Sequence, residues 1–176
     1  KNVRVMAVVK ANAYGHGTVE VSQALESLAV DYLGVATTDE AMRLRDHGVK
    51  APILILGPVL PAEVKHAVEK GVTLTLCSDE ILKEIKEAAK SGIKAKVHVE
   101  VDTGMGRIGV WHEEALDFIK RISAEKCLVL EGIYTHFSAA GLEIPHRRRR
   151  RRRGAARGRR RRADRSNPVT GHDAVA

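Results

Sequence analysis

The sequence predicts an α/β fold built on parallel strands, and three observations carry that prediction. Short runs rich in Val, Ile and Leu recur along residues 3–136. They lack polar alternation, as suits strands covered on both faces. Between them lie segments with apolar residues at helical spacing, and each strand-plus-helix unit takes about 25–30 residues, close to a βαβ repeat.

Residues 3–9 form the first such run, followed over 18–28 by an amphipathic helix with Val19, Val21, Ala24, Leu25 and Leu28 on one side. Residues 32–36 read as a second buried strand. Thr38, Asp39 and Glu40 then open a helix that runs to Gly48, since hydroxyl and acidic residues suit a helix start and glycine a helix end. Residues 52–56 are a third strand, stopped by Gly57 and Pro58, and 61–70 a helix closed by Gly71. A fourth strand over 72–76 leads to a helix begun at Ser78 and closed by Gly92, with Ile81, Leu82 and Ile85 inward. Residues 96–102, 113–122 and 128–136 read as strand, helix and strand. Six strands in βαβ order fit either a doubly wound open sheet or a barrel lacking two of its eight units. The pattern alone leaves both open.

Of the 176 residues, 44% are hydrophobic, 30% charged and 3% aromatic, so one domain with an aliphatic core is expected. The net charge of +8 is unevenly placed. Residues 146–176 hold 13 Arg and two Asp, or +11, and residues 1–145 carry −3. The body is therefore mildly acidic. The tail lacks apolar periodicity and is expected to be disordered. It would bind nucleic acid non-specifically through phosphate, without aromatic residues for base stacking. Arg/Ala/Gly runs also arise when GC-rich coding sequence is read out of frame, so a frameshift or chimeric gene stands beside a genuine tail. The domain reading is thus 1–140 for the folded part and 141–176 for the tail. The chain begins with Lys rather than Met, so a preceding segment is expected. Cys77 and Cys127 form no metal or disulfide pattern, and reduced thiols in a cytoplasmic protein are the expectation. No apolar run approaches the ~20 residues of a membrane span.

The chemistry concentrates in three segments. Residues 7–17 read Ala-Val-Val-Lys-Ala-Asn-Ala-Tyr-Gly-His-Gly, placing Lys10 at the C-terminal end of a buried strand. Such ends carry the reacting groups of parallel α/β proteins. A partly desolvated lysine is a better nucleophile and Schiff-base former. The alternative is a strand-edge lysine reaching solvent before a glycine-rich turn. In residues 97–109, His98, Glu100 and Asp102 alternate with valines, so all three share one strand face. Arg107 is the nearest cation to those carboxylates, and a polar-faced edge strand is the alternative. In residues 132–138, His136 ends the sixth strand and is either catalytic or a satisfied structural histidine. Lys10, Arg107 and His136 all fall at or just past strand C-termini.

These three blocks, in this order, resemble alanine racemase, with the match running from Val3 to about Ala140. The resemblance implies a (β/α)8 barrel of TIM type, incomplete here at about six of eight units. It implies a pyridoxal 5′-phosphate-dependent isomerase interconverting L- and D-alanine for cell-wall precursors, acting as a cytoplasmic homodimer. By that resemblance Lys10 carries the cofactor and is one of two racemisation bases. Tyr14 contacts the cofactor phosphate, Leu56 packs near the ring, His136 lies beside it, and Arg107 serves both cofactor and substrate carboxylate.

Two departures stand out. Many family members have a carbamylated lysine at the position of Glu100, so Glu100 is expected to supply negative charge directly to Arg107. The later barrel strands, with their second arginine, and the C-terminal domain tyrosine that acts as opposite-face base have no counterpart after Ala140. Low or no racemisation is expected of this chain alone. The competing functional readings are a pyridoxal-phosphate-binding protein without racemase activity and a nucleic-acid-binding module using the tail.

Overall fold

The computed structural model describes residues 3–139. These fall within the first of two units, Lys1–Gly141, while the second, Leu142–Ala176, lies outside the described residues. The expectations for the arginine-rich tail belong to that second part.

Seven strands and five regular helices alternate. Strands β1 (Met6–Val8), β2 (Tyr32–Val35), β3 (Ile53–Ile55), β4 (Thr73–Leu76) and β5 (Ala95–Asp102) are each followed by a crossover. A two-residue strand β6 (Val110–Trp111) and then β7 (Leu128–Tyr134) complete the sheet. The helices are α1 (Thr18–Ser27), α2 (Thr38–Asp46), α3 (Pro61–Glu69), α4 (Asp79–Ala88) and α5 (Ala115–Ser123). The main pairing runs β1-β2-β3-β4-β5-β7, parallel throughout, with β6 beside the end of β5. This order never doubles back, whereas a doubly wound sheet reverses at a switch point. The progression is that of a barrel wall, and among the described residues β1 and β7 do not pair to close it.

The two faces of the wall differ in chemistry. Leu33, Val35, Ile53, Ile55, Leu74, Leu76, Val97 and Val99 are fully buried at alternate positions against the helices. Ala41, Leu44, Val64, Ala67, Ile85 and Ile122 meet them from the helix side. Each of the Val, Leu and Ile side chains contributes about 1.5–3 kcal/mol on burial. Helix entry follows local chemistry: the Thr37 and Ser78 hydroxyls accept the backbone N–H of Glu40 and Ile81 at 3.3 and 3.4 Å.

The inner face is polar. It presents Tyr32, Thr73, Thr75, His98, Glu100, Glu131 and Tyr134. The β5–β7 register slips between Val97 and His98, which pair with Leu130 and Gly132, so Glu131 is an extra residue without a partner. The bulge places Glu131 and the next residue, Gly132, on the inner face together, where strict alternation allows only one of them. Gly132 opposite makes room for the His98 ring, because a Cβ there would lie 2.7 Å from His98 Cε1.

Candidate functional site

The C-terminal ends of β1, β3 and β5 converge on a cavity of about 350 Å3 lined by Lys10, Ala36, Leu56, Gly57, Pro58, Arg107 and Ile108. Lys10 is half-buried directly after Val9, a residue only 2% exposed. Leu56 follows β3, its backbone N–H donating to Val35 O at 2.8 Å. Arg107 sits in the glycine loop after β5. Asp102 shapes that loop by accepting the N–H of Gly104 at 2.8 Å and of Gly106 at 3.1 Å. Those two N–H groups, Gly104 first, hold the Asp102 carboxyl below its ordinary value.

Lys10 opens a tight turn, Lys10–Tyr14, that is left-handed. Ala11, Asn12, Ala13 and Tyr14 have φ of 51°, 55°, 50° and 54°. Residues with a Cβ avoid this region at roughly 1–2 kcal/mol each, so the turn has to be held by its surroundings. Ala13 N–H donates to Val9 O at 2.9 Å, and Thr18 N–H to Asn12 Oδ1 at 3.0 Å. Tyr14, carried at the end of this turn, is 62% exposed.

Glu100 is 3% exposed, and its hydrogen-bond partner is the Tyr134 hydroxyl, which donates to Oε2 at 3.1 Å. Burial pushes its carboxyl above the ordinary value, while Tyr134, Arg107 and His136 pull it part-way back. Among the described residues Glu100 and Arg107 form no ion pair within 4.0 Å. The direct pairing expected from sequence is therefore replaced by an interaction through space. The reason is positional: Glu100 points inward from within β5, whereas Arg107 stands in the loop beyond its end.

The structure thus brings Lys10, Leu56 and Arg107 around one cavity. Tyr14, Glu100 and His136 lie outside its lining, with His136 exposed just past β7. Tyr134, Thr75 and Glu40 are additions that the sequence did not single out. The Thr37-to-Glu40 spacing of a capping box was the available signal for Glu40.

The cavity offers a primary amine, a guanidinium and an apolar wall of Leu56, Pro58 and Ile108. That donor set suits a flat aromatic aldehyde bearing anionic oxygens, which is the chemistry of pyridoxal phosphate.

Known proteins share this sequence and fold. The model of the alanine racemase N-terminal domain matches residues 1–169. Alanine racemase 1 of Caldanaerobacter subterraneus subsp. tengcongensis is 46% identical over 142 residues, covering 80% of this chain and 37% of that protein. The alanine racemase of Clostridium difficile 630 in complex with cycloserine superposes with a TM-score of 0.75 at 42% identity, over 78% of this chain and 38% of that one. A histidine racemase from Leuconostoc mesenteroides superposes with a TM-score of 0.69 at 36% identity, over 76% of this chain and 37% of that one. The chain spans little more than a third of the length of these relatives. Among the described residues, its polar-faced parallel wall matches part of their barrel. The chain belongs to the alanine racemase N-terminal domain family.

Proposed function

We propose that this chain supplies the pyridoxal 5′-phosphate-binding part of an amino-acid racemase acting on alanine. The observation that carries the reading is the convergence of Lys10, Leu56 and Arg107 on one cavity at the C-terminal rim. When bound, the cofactor supplies an electron sink that makes the substrate Cα–H acidic.

Lys10 Nζ would hold the cofactor covalently and, once displaced from it by the substrate's amine, would move the Cα proton on one face. Arg107 would orient the substrate carboxylate and bind the cofactor's phenolic oxygen, with Glu100 adding negative charge through space. Leu56, Pro58 and Ile108 would exclude water from the cofactor's ring. Tyr14, at the end of the left-handed turn, would reach the cofactor's phosphate, and His136, just past β7, would lie beside its ring. A second base on the opposite face completes racemisation, and a homodimer is the arrangement that brings it. The same reading places the reaction in the cytoplasm, feeding D-alanine to cell-wall synthesis. Among the described residues no helix is long and apolar enough to cross a membrane.

The test is a spectral titration of the full chain with pyridoxal phosphate, with Lys10→Ala alongside. A saturable absorbance band present in the parent and absent in Lys10→Ala is expected. Identical spectra for the two proteins would remove Lys10 from the cofactor site.

A further inference from the structure

We infer that Glu40 is a positioning residue that fixes Lys10 by latching the backbone on either side of the cavity. The inference rests on the cofactor reading of Lys10. Glu40 Oε1 accepts the N–H of Ala11, the residue that follows Lys10, at 2.7 Å. Its Oε2 accepts the N–H of Ala36, just past β2, also at 2.7 Å. Lys10 and Ala36 both line the cavity. One carboxylate thus ties the C-terminal ends of β1 and β2 together through two short, charge-assisted bonds.

The latch has a mechanical reason. Ala11 is the first of four residues in the left-handed region, and strained backbone of this kind persists only where its surroundings over-determine it. The bonds inside the turn, from Ala13 to Val9 and from Thr18 to Asn12, leave the Ala11 N–H to Glu40. Glu40 is itself placed by the first turn of α2, where its N–H donates to Thr37 Oγ1. The neighbouring Thr38 hydroxyl donates to Glu63 Oε2 at 2.8 Å, and that oxygen also accepts the Leu60 N–H at 3.2 Å. The rim from β1 to β3 is therefore tied together by carboxylates near helix starts, each reaching toward the preceding unit.

The molecule contains its own control. At the opposite rim Glu26 Oε1 accepts the N–H of Lys50 at 2.7 Å and of Ala51 at 2.6 Å. There too one carboxylate holds two backbone N–H groups, through a single oxygen and far from the cavity. Glutamine in place of either glutamate keeps the shape but leaves a single carbonyl acceptor and no charge.

The experiment compares the full chain with Glu40→Gln and Glu26→Gln by pyridoxal phosphate titration, amide hydrogen exchange and thermal melting. Glu40→Gln is expected to weaken cofactor binding about tenfold or more, as loss of a charge-assisted bond implies. It should speed exchange at Ala11 and Ala36, while Glu26→Gln leaves cofactor binding unchanged. Equal cofactor binding and equal exchange in Glu40→Gln and the parent would overturn the proposal. So would weakening of the same size in Glu26→Gln, which would mark a general loss of stability. If Glu40→Gln fails to fold, Glu40→Asp, one methylene shorter, is read in the same way, and failure of both to fold overturns the proposal. If the parent takes up no cofactor at Lys10, the functional reading fails. The latch is then decided by exchange alone, where faster exchange confined to Ala11 and Ala36 supports it and unchanged exchange overturns it.

Discussion

Two carboxylates on the inner face of the wall have nearly the same neighbours and opposite electrostatics. Glu100 meets a tyrosine, Tyr134, which touches Thr75 at 2.7 Å. Glu131 meets a tyrosine, Tyr32, which touches Thr73 at 3.1 Å. Burial raises both carboxyls, yet Glu131 ends below its ordinary value and Glu100 above it. The difference is the supply of donors. Glu131 accepts from Tyr32, from Thr73 at 3.1 Å and from Lys96, whose Nζ is 3.4 Å away. Tyr32 is correspondingly pushed up to about 12 by burial and by Glu131. Glu100 has Tyr134 alone, and that single proton also has Thr75 Oγ1 and Leu56 O within reach. Thr75 is no further help, because its own hydroxyl donates to Ile55 O at 2.7 Å. The carboxylate far from the cavity is fully satisfied, and the one nearest Arg107 is left responsive to the charges around it.

The sharpest way to break this comparison is to remove each tyrosine hydroxyl. Tyr134→Phe takes away the one hydrogen bond to the Glu100 carboxylate among the described residues and should cost about 1–3 kcal/mol. Tyr32→Phe leaves Glu131 with Thr73 and Lys96 and should cost about 1 kcal/mol. Urea unfolding measures both, and equal losses would erase the distinction. A smaller effect is expected of Lys96→Met, since a partly exposed pair is worth about 0–1 kcal/mol. Its informative readout is the Glu131 titration by NMR, which should move upward toward the behaviour of Glu100. A Glu131 titration that stays in place would deny the lysine its role.

The smallest effect is the pH dependence. The folded state binds a proton on Glu100 more tightly than the unfolded chain does. Its contribution is therefore greatest at low pH and is lost as pH rises from the ordinary carboxylate range through the raised value. Glu131 and Asp102 have the opposite sign: their contributions are present above the ordinary range and lost as pH falls. Glu100→Gln should abolish the loss on the rising side and spare the acid side. A stability–pH curve unchanged by this substitution would contradict the assignment.

Much of this arrangement was legible in the sequence because it depends on period and on strand ends. The Val-rich runs mark the six strands of the main wall, and Lys10, Leu56 and Arg107 converge because each follows a strand. The run at 3–9 overstates its strand, since Val3 and Val5, 80% and 61% exposed, precede the first pairing at Met6. Strand β6, two residues long, carries no periodic signal. The left-handed turn is hidden because alanines at 11 and 13 do not advertise positive φ. The inner face of β7 is hidden because one extra residue at the bulge puts Glu131 and Gly132 side by side and shifts the parity of every residue after them. Glu40 reads as a helix-start residue, and only the adjacency of β1 and β2 shows that its carboxylate serves the neighbouring turn.

The central claim, that the rim around Lys10 is a cofactor site, is tested most directly by borohydride reduction of the full chain mixed with pyridoxal phosphate, followed by peptide mass mapping. The expected result is added mass on the peptide containing Lys10, lost in Lys10→Ala. Label spread over surface lysines and undiminished in Lys10→Ala would contradict the claim.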